Sequence, residues 1–131
     1  MVQIILVHSM LRWLIAIMAI STVTKLALGC VGFTEHSRLD RKLAAAFAGV
    51  MDFQFLLGLM LLAEKLMVYG FAGVTHVIPH TVNMLFAVIA AHMASRWSKY
   101  PDKLLRTLVA MSMSLLLLVA GVQELPQGWF G

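Results

Sequence analysis

Four long apolar stretches constrain the fold of this 131-residue chain more than any other feature of its sequence. A helix needs roughly 20 apolar residues to cross the hydrocarbon core of a bilayer. Stretches of that length lie at about residues 4–29, 43–63, 77–95 and 104–123. Hydrophobic residues make up 61% of the chain and charged residues only 12%, a composition typical of membrane proteins. The sequence therefore predicts an all-α integral membrane protein with one transmembrane domain over residues 1–131.

The placement of lysine and arginine predicts the orientation of the four helices. These residues fall mainly in the first and third polar connections, and the positive-inside rule places such connections in the cytoplasm. We therefore expect a four-helix up-and-down bundle with both termini on the outer side of the membrane. The connections predicted from composition include residues 35–42 in the first and Glu64 and Lys65 in the second. No charged segment or small-residue cleavage site precedes the first stretch, so we expect it to be retained as a span.

Charge and cysteine content exclude several other classes of protein. The formal charge of +4 is explained by the topology, and no basic stripe with interleaved aromatic residues indicates a nucleic-acid partner. The single cysteine, Cys30, excludes an internal disulfide and a cysteine-based cluster. The partners that we expect are the lipid bilayer and, if the chain assembles, other subunits of a membrane complex or further copies.

Two histidines lie at similar depths in helices that are predicted to run in the same direction. At a rise of 1.5 Å per residue, His8 lies about 9 Å below the outer surface and His80 about 5–8 Å below it. Ionisable groups are costly at membrane depth and usually mark a cofactor, an ion path or a buried partner. One imidazole on each side of a haem would use both residues as iron ligands. The alternative is that each histidine only bonds a neighbour near the interface.

Three residues near these histidines are candidates for supporting roles. Arg12 lies one helical turn from His8, where it would bind haem propionates or form a salt bridge to Glu64 or Glu124. Ser9 is a weaker candidate for a propionate or a backbone carbonyl. Met84, one turn after His80, either packs in the core or serves as a distant sulfur ligand, and methionine is most often a core residue.

A second polar group interrupts the other half of the apolar region. Asp52 and Gln54 lie near the middle of the second stretch, and His92 lies near the cytoplasmic end of the third. An aspartate at this depth is paired, protonated or in contact with water. Asp52 and His92, with Gln54, would form either a proton or quinone element or a structural hydrogen bond between helices.

The segment His8-Ser9-Met10-Leu11-Arg12-Trp13 resembles the His-Ser-x-Leu-Arg-Trp opening of small bacterial four-helix membrane proteins of the cytochrome-b-like type. The similarity extends along nearly the whole chain through short motifs: Leu39-Asp40-Arg41-Lys42-Leu43, Gln54 with Leu56-Leu57-Gly58-Leu59, His80 with Met84 and Ala87, His92 with Arg96, and Leu125-Pro126 with Trp129. The resemblance implies a bacterial inner-membrane protein in which His8 and His80 hold a haem b on the outer side. In that family a histidine usually stands at the position of Asp52, so we expect one haem per chain rather than two.

These observations predict a membrane-bound b-type cytochrome that transfers single electrons in a respiratory or photosynthetic chain, with a quinone as a candidate second ligand. The sequence indicates no substrate-specific catalytic pocket, so it favours an electron carrier over a stand-alone enzyme. Two alternatives stay open. One is a cofactor-free accessory subunit of a larger membrane redox complex, and the other is a small proton or cation transporter that uses Asp52 and His92.

Overall fold

The computed structural model describes residues 2–130, and within them it contains four long α-helices and no strand. These helices are α1 (Val2–Cys30), α2 (Arg38–Tyr69), α3 (Ile78–Trp97) and α4 (Leu104–Gln123). One-turn 3-10 segments at Phe71–Gly73 and Thr75–Val77 join α2 to α3, and a third at Pro101–Lys103 precedes α4. Each of the four helical regions is long and apolar enough to cross a membrane. The predicted all-α class and the four apolar helices are thus confirmed.

Helix α2 is longer at both ends than the apolar stretch that predicted it. Its N-terminus is fixed by a capping box, in which the Ser37 side chain accepts from the N–H of Leu39 and Asp40 accepts from the N–H of Ser37 at 2.8 Å. The helix ends at Tyr69, and the following Gly70 has a φ of 68°, which glycine readily adopts. Residues 38–42 and 64–65, which the sequence placed in connections between the apolar stretches, therefore belong to the helix. A capped helix continues through polar residues because its backbone hydrogen bonds do not depend on apolar side chains.

The four helices pack in a ring. Helix α1 packs mainly on α2 and α4, and α3 packs on the same two neighbours, so α1 and α3 lie diagonally opposite. The most extensive contact, between α3 and α4, has small residues at its centre. There Ser114 Oγ of α4 donates to the carbonyl of Ala87 in α3 at 2.8 Å, and both residues are buried. Small residues allow helix backbones to approach closely, and hydrogen bonds between helices add stability in lipid.

Polar contacts mark two ends of the helix ring. At the basic end, defined by residues 25–42 and 96–106, Lys25 Nζ lies 2.8 Å from Asp40 Oδ1. There His36 Nε2 also lies 2.7 Å from the carbonyl of Ser98. At the cavity end, defined by the start of α1, the second half of α2, the start of α3 with the short segments before it, and the end of α4, a different set of polar residues faces inward.

Candidate cofactor site

A cavity of about 210 Å³ at the cavity end is lined by all four helices. His8 of α1 and His80 of α3 both line it, so the structure brings the two predicted ligands to one space. Ser9, Arg12, Gln54 and Met84 line the same cavity. Apolar walls are provided by residues including Met51, Phe55, Val88 and Leu118.

The orientation of His80 is set by a hydrogen bond that the sequence did not predict. His80 Nδ1 lies 2.8 Å from the carbonyl oxygen of Gly121 in α4. A carbonyl can only accept, so Nδ1 carries the proton, and the lone pair of the neutral ring is on Nε2. Histidines that bind metals through one ring nitrogen usually donate the other N–H to a carbonyl or carboxylate. The bond leaves Nε2 as the acceptor nitrogen of the neutral ring, an arrangement that metal-binding histidines also have.

Gly121 is the functional position that sequence analysis missed. A Cβ at this residue would collide with the methyl group of Met84 and would lie 3.7 Å from His80 Nδ1. Glycine thus allows the α3 side chains to approach the α4 backbone. The available signal was a lone glycine in a leucine-rich helix, which can mark such a close approach. The sequence analysis placed no site residue in α4, whereas α4 contributes the Gly121 carbonyl to the site.

His8 is held through its backbone while part of its ring stays unpaired. Its carbonyl accepts from Gln54 Nε2 at 2.7 Å, which joins α1 to α2 beside the cavity. Its Nδ1 is buried and has no hydrogen-bond partner among residues 2–130. Across from the ring, a Cβ at Gly58 would lie 3.3 Å from His8 Cε1. The absence of a side chain at Gly58 therefore leaves room for the imidazole.

Arg12 lies at the cavity without a carboxylate partner in the described part of the chain. Its Nη1 donates to the carbonyl of Gly128 at 3.2 Å, while its Nε is buried and unpaired within residues 2–130. The ion pairs found among those residues are Lys25–Asp40 and Asp52–His92. The predicted alternative of a salt bridge from Arg12 to Glu64 or Glu124 is therefore wrong for this structure. Glu124 instead accepts from Asn83 Nδ2 at 2.7 Å.

Asp52 and His92 pair with each other outside the cavity. Asp52 Oδ1 lies 2.7 Å from His92 Nε2, and the two side chains are 47% and 53% exposed. Gln54, which the sequence placed in the same polar group, is buried and points to the other side of α2, where it contacts His8. Two residues along a helix are separated by about 200° around its axis, which explains the division. The structure therefore separates the predicted group of three.

The residues that line the cavity suit a haem, but with the side chains in their present positions the cavity is too small for one. Two histidines on diagonal helices line the cavity and could both bind an iron, and the Nε of Arg12 and the Nδ1 of His8 are buried polar atoms without a partner among residues 2–130. No group of three or more His, Cys, Asp or Glu among residues 2–130 could hold a bare ion, and a haem requires only two axial side chains. The volume of about 210 Å³ is below the roughly 300–1,000 Å³ of most ligand sites, so a haem requires the side chains around the cavity to move apart.

No protein-family model, curated protein or solved structure matches this chain. The class of this protein therefore rests on its fold alone, which is all-α with four helices that are each long and apolar enough to span a membrane.

Proposed function

We propose that this protein is a membrane-bound b-type cytochrome that carries one haem b between His8 and His80. The observation that carries the proposal is that His8 and His80, from diagonal helices, line one cavity while the Nδ1–H of His80 is bonded to the Gly121 carbonyl. A bound haem b would supply one-electron chemistry through its iron.

The chain's own residues would position this cofactor and limit access to it. His80 Nε2 and the ring of His8 would hold the haem iron, and the Gly121 carbonyl would fix the rotation of the His80 ring. Arg12 would bind a propionate through the nitrogen that is now unpaired, and Ser9 is a further candidate for that contact. Met84 and the apolar walls would exclude water from the ring.

The orientation in the membrane is part of the same proposal. Most of the chain's lysines and arginines lie at the basic end, which we place in the cytoplasm by the positive-inside rule. They are Lys25, Arg38, Arg41, Lys42, Arg96, Lys99, Lys103 and Arg106. An up-and-down bundle would then place the cavity and both termini on the outer side of a bacterial inner membrane. In that position the site could exchange electrons with an outer carrier or with a quinone in the bilayer.

Substitution of the histidines tests the ligand assignment. We expect His8→Ala and His80→Ala to lose most of the haem that copurifies with the wild-type protein, measured as haem per chain. His76→Ala is the matched control, because His76 is exposed in the short segment before α3 and does not line the cavity. Added imidazole should restore haem binding to a folded His80→Ala protein. Wild-type haem content in both cavity variants would contradict the assignment.

A second candidate function follows from the half-exposed Asp52–His92 pair. An ionisable pair on the outside of apolar helices is an expensive feature that often serves proton or ion transfer. A transporter built on this pair would require its path to run between chains, because the pair does not line the cavity. Proton flux in proteoliposomes that is abolished by Asp52→Asn but kept in His8→Ala would favour this function.

A colourless protein that copurifies with a large complex would favour an accessory subunit.

A further inference from the structure

A groove at the basic end lies between the start of α2 and the end of α3. Its volume is about 370 Å³, and its lining includes Arg38, Arg41, Lys42 and Ala45 from α2 and Ser95 from α3, with Lys99 just beyond that helix. We call it the basic groove. It lies at the opposite end from the histidine cavity and shares no lining residue with it.

The positive charge of the basic groove is not balanced within the described chain. None of its four cationic side chains forms an ion pair with a residue in the range 2–130. The nearest carboxylate in sequence, Asp40, is already engaged by Lys25 at 2.8 Å and by the N–H of Ser37 at 2.8 Å. Four cations gathered without a counter-charge favour the binding of an anion.

The walls of the groove are held in place by hydrogen bonds that do not involve its cations. Ser98 is 2% exposed, and its carbonyl lies 2.7 Å from Nε2 of His36, which lies in the connection between α1 and α2. Its hydroxyl donates to the carbonyl of Ser95 at 2.6 Å. The end of α3 is thereby fixed relative to the connection that leads into α2.

Beyond the lining of the groove, the exposed surface of α2 carries small residues on the same side of the helix. Ala45 lies about one turn beyond Arg41 and Lys42, and Gly49 follows one turn later. A Cβ at Gly49 would meet no heavy atom within 4 Å, so the surface there is open. A ligand whose charged part occupies the groove therefore has room for an apolar part beside α2.

We propose that the basic groove binds an anionic phospholipid, with its phosphate among Arg38, Arg41, Lys42 and Lys99 and an acyl chain along Ala45 and Gly49. The charge selects the anion, and the open apolar surface selects a lipid over a small soluble anion. Basic pockets between transmembrane helices on the cytoplasmic side commonly bind anionic headgroups. The site does not depend on the haem proposal, since it uses other residues at the other end.

Lipid retention measured by native mass spectrometry tests the proposal. The full-length protein is equilibrated in phosphatidylcholine nanodiscs that contain increasing phosphatidylglycerol, and bound phosphatidylglycerol per chain is counted after release. We expect Arg41→Gln/Lys42→Gln to weaken phosphatidylglycerol binding at least tenfold. The matched control, Lys103→Gln/Arg106→Gln, removes the same charge at the same end outside the groove, and we expect less than a twofold effect.

Two further arms distinguish a bound lipid from a bound soluble anion and from a general attraction to positive charge. Gly49→Leu keeps every cation and should weaken phosphatidylglycerol binding, whereas excess inorganic phosphate should not displace the lipid from the wild-type protein. Equal losses in both charge variants, displacement by inorganic phosphate, or unchanged binding in Gly49→Leu would each overturn the proposal. Melting temperatures of all variants are compared with that of the wild-type protein, so that lipid binding is measured only on folded proteins.

Discussion

Two glycines of α2 differ in what a side chain at their positions would meet. A Cβ at Gly58 would lie 3.3 Å from His8 Cε1, whereas one at Gly49 would meet nothing within 4 Å. Gly58→Ala should therefore push the His8 ring from its present position, and Gly49→Ala should leave the cavity unchanged. A 30° shift from a side-chain rotamer costs about 0.5–1.5 kcal/mol. We expect haem affinity in Gly58→Ala to fall roughly two- to tenfold.

A haem titration of the apoprotein measures this difference directly. Gly49→Ala on the same helix controls for the general effect of replacing glycine by alanine. Equal affinities in the two variants would show that the space at Gly58 does not determine the position of His8.

At the level of elements, Asp40 joins the start of α2 to the end of α1. Its side chain is 2% exposed, lies 2.8 Å from Lys25 Nζ and closes the capping box of Ser37. Asp40→Asn would leave the Lys25 ammonium without its carboxylate and would weaken the cap. Removing one partner of a buried ion pair costs about 3–5 kcal/mol, and partial exposure of Lys25 places this pair near the lower limit.

We therefore expect Asp40→Asn to lower the free energy of unfolding by about 3 kcal/mol, measured by denaturation in mixed micelles. Asp102→Asn is the control, because Asp102 is exposed in the segment before α4 and forms no ion pair with a residue in 2–130. Similar losses in the two variants would contradict the structural role of Asp40.

The helices could be predicted from sequence to different degrees. Four apolar stretches of sufficient length predicted four helices, because length and hydropathy alone decide whether a segment can cross a bilayer. The bounds of α2 could not be predicted in this way. They depend on the cap at Ser37 and the backbone of Gly70, and neither contributes to an apolar stretch.

In the candidate site, the depth of a residue could be predicted from sequence, whereas the rotation of its helix could not. The rise per residue predicted that His8 and His80 have similar depths, and both line one cavity. The bonds from His80 to Gly121 and from Gln54 to His8 could not be predicted, since they depend on how each helix is rotated against its neighbour. The Asp52–His92 contact was one of the alternatives, but its half-exposed position did not follow from the sequence.

At the scale of the whole molecule, the single cysteine gives a direct test of orientation. Cys30 is exposed at the basic end of α1, which we place in the cytoplasm. A membrane-impermeant maleimide should therefore label Cys30 in inverted membrane vesicles and leave it unlabelled in right-side-out vesicles. In Cys30→Ser/His76→Cys the pattern should reverse, because His76 lies at the cavity end. Labelling of Cys30 from the outside would contradict the proposed orientation.

The measurement that tests the central claim most directly is the haem content of the wild-type protein purified in detergent from haem-replete cells. Absorption spectra of the oxidised and dithionite-reduced protein, combined with a pyridine haemochrome assay, give the haem type and its ratio to the chain. We predict about one haem b per chain, with the sharp reduced α-band of a low-spin, six-coordinate iron. A colourless protein that does not take up added haem would contradict the proposed function.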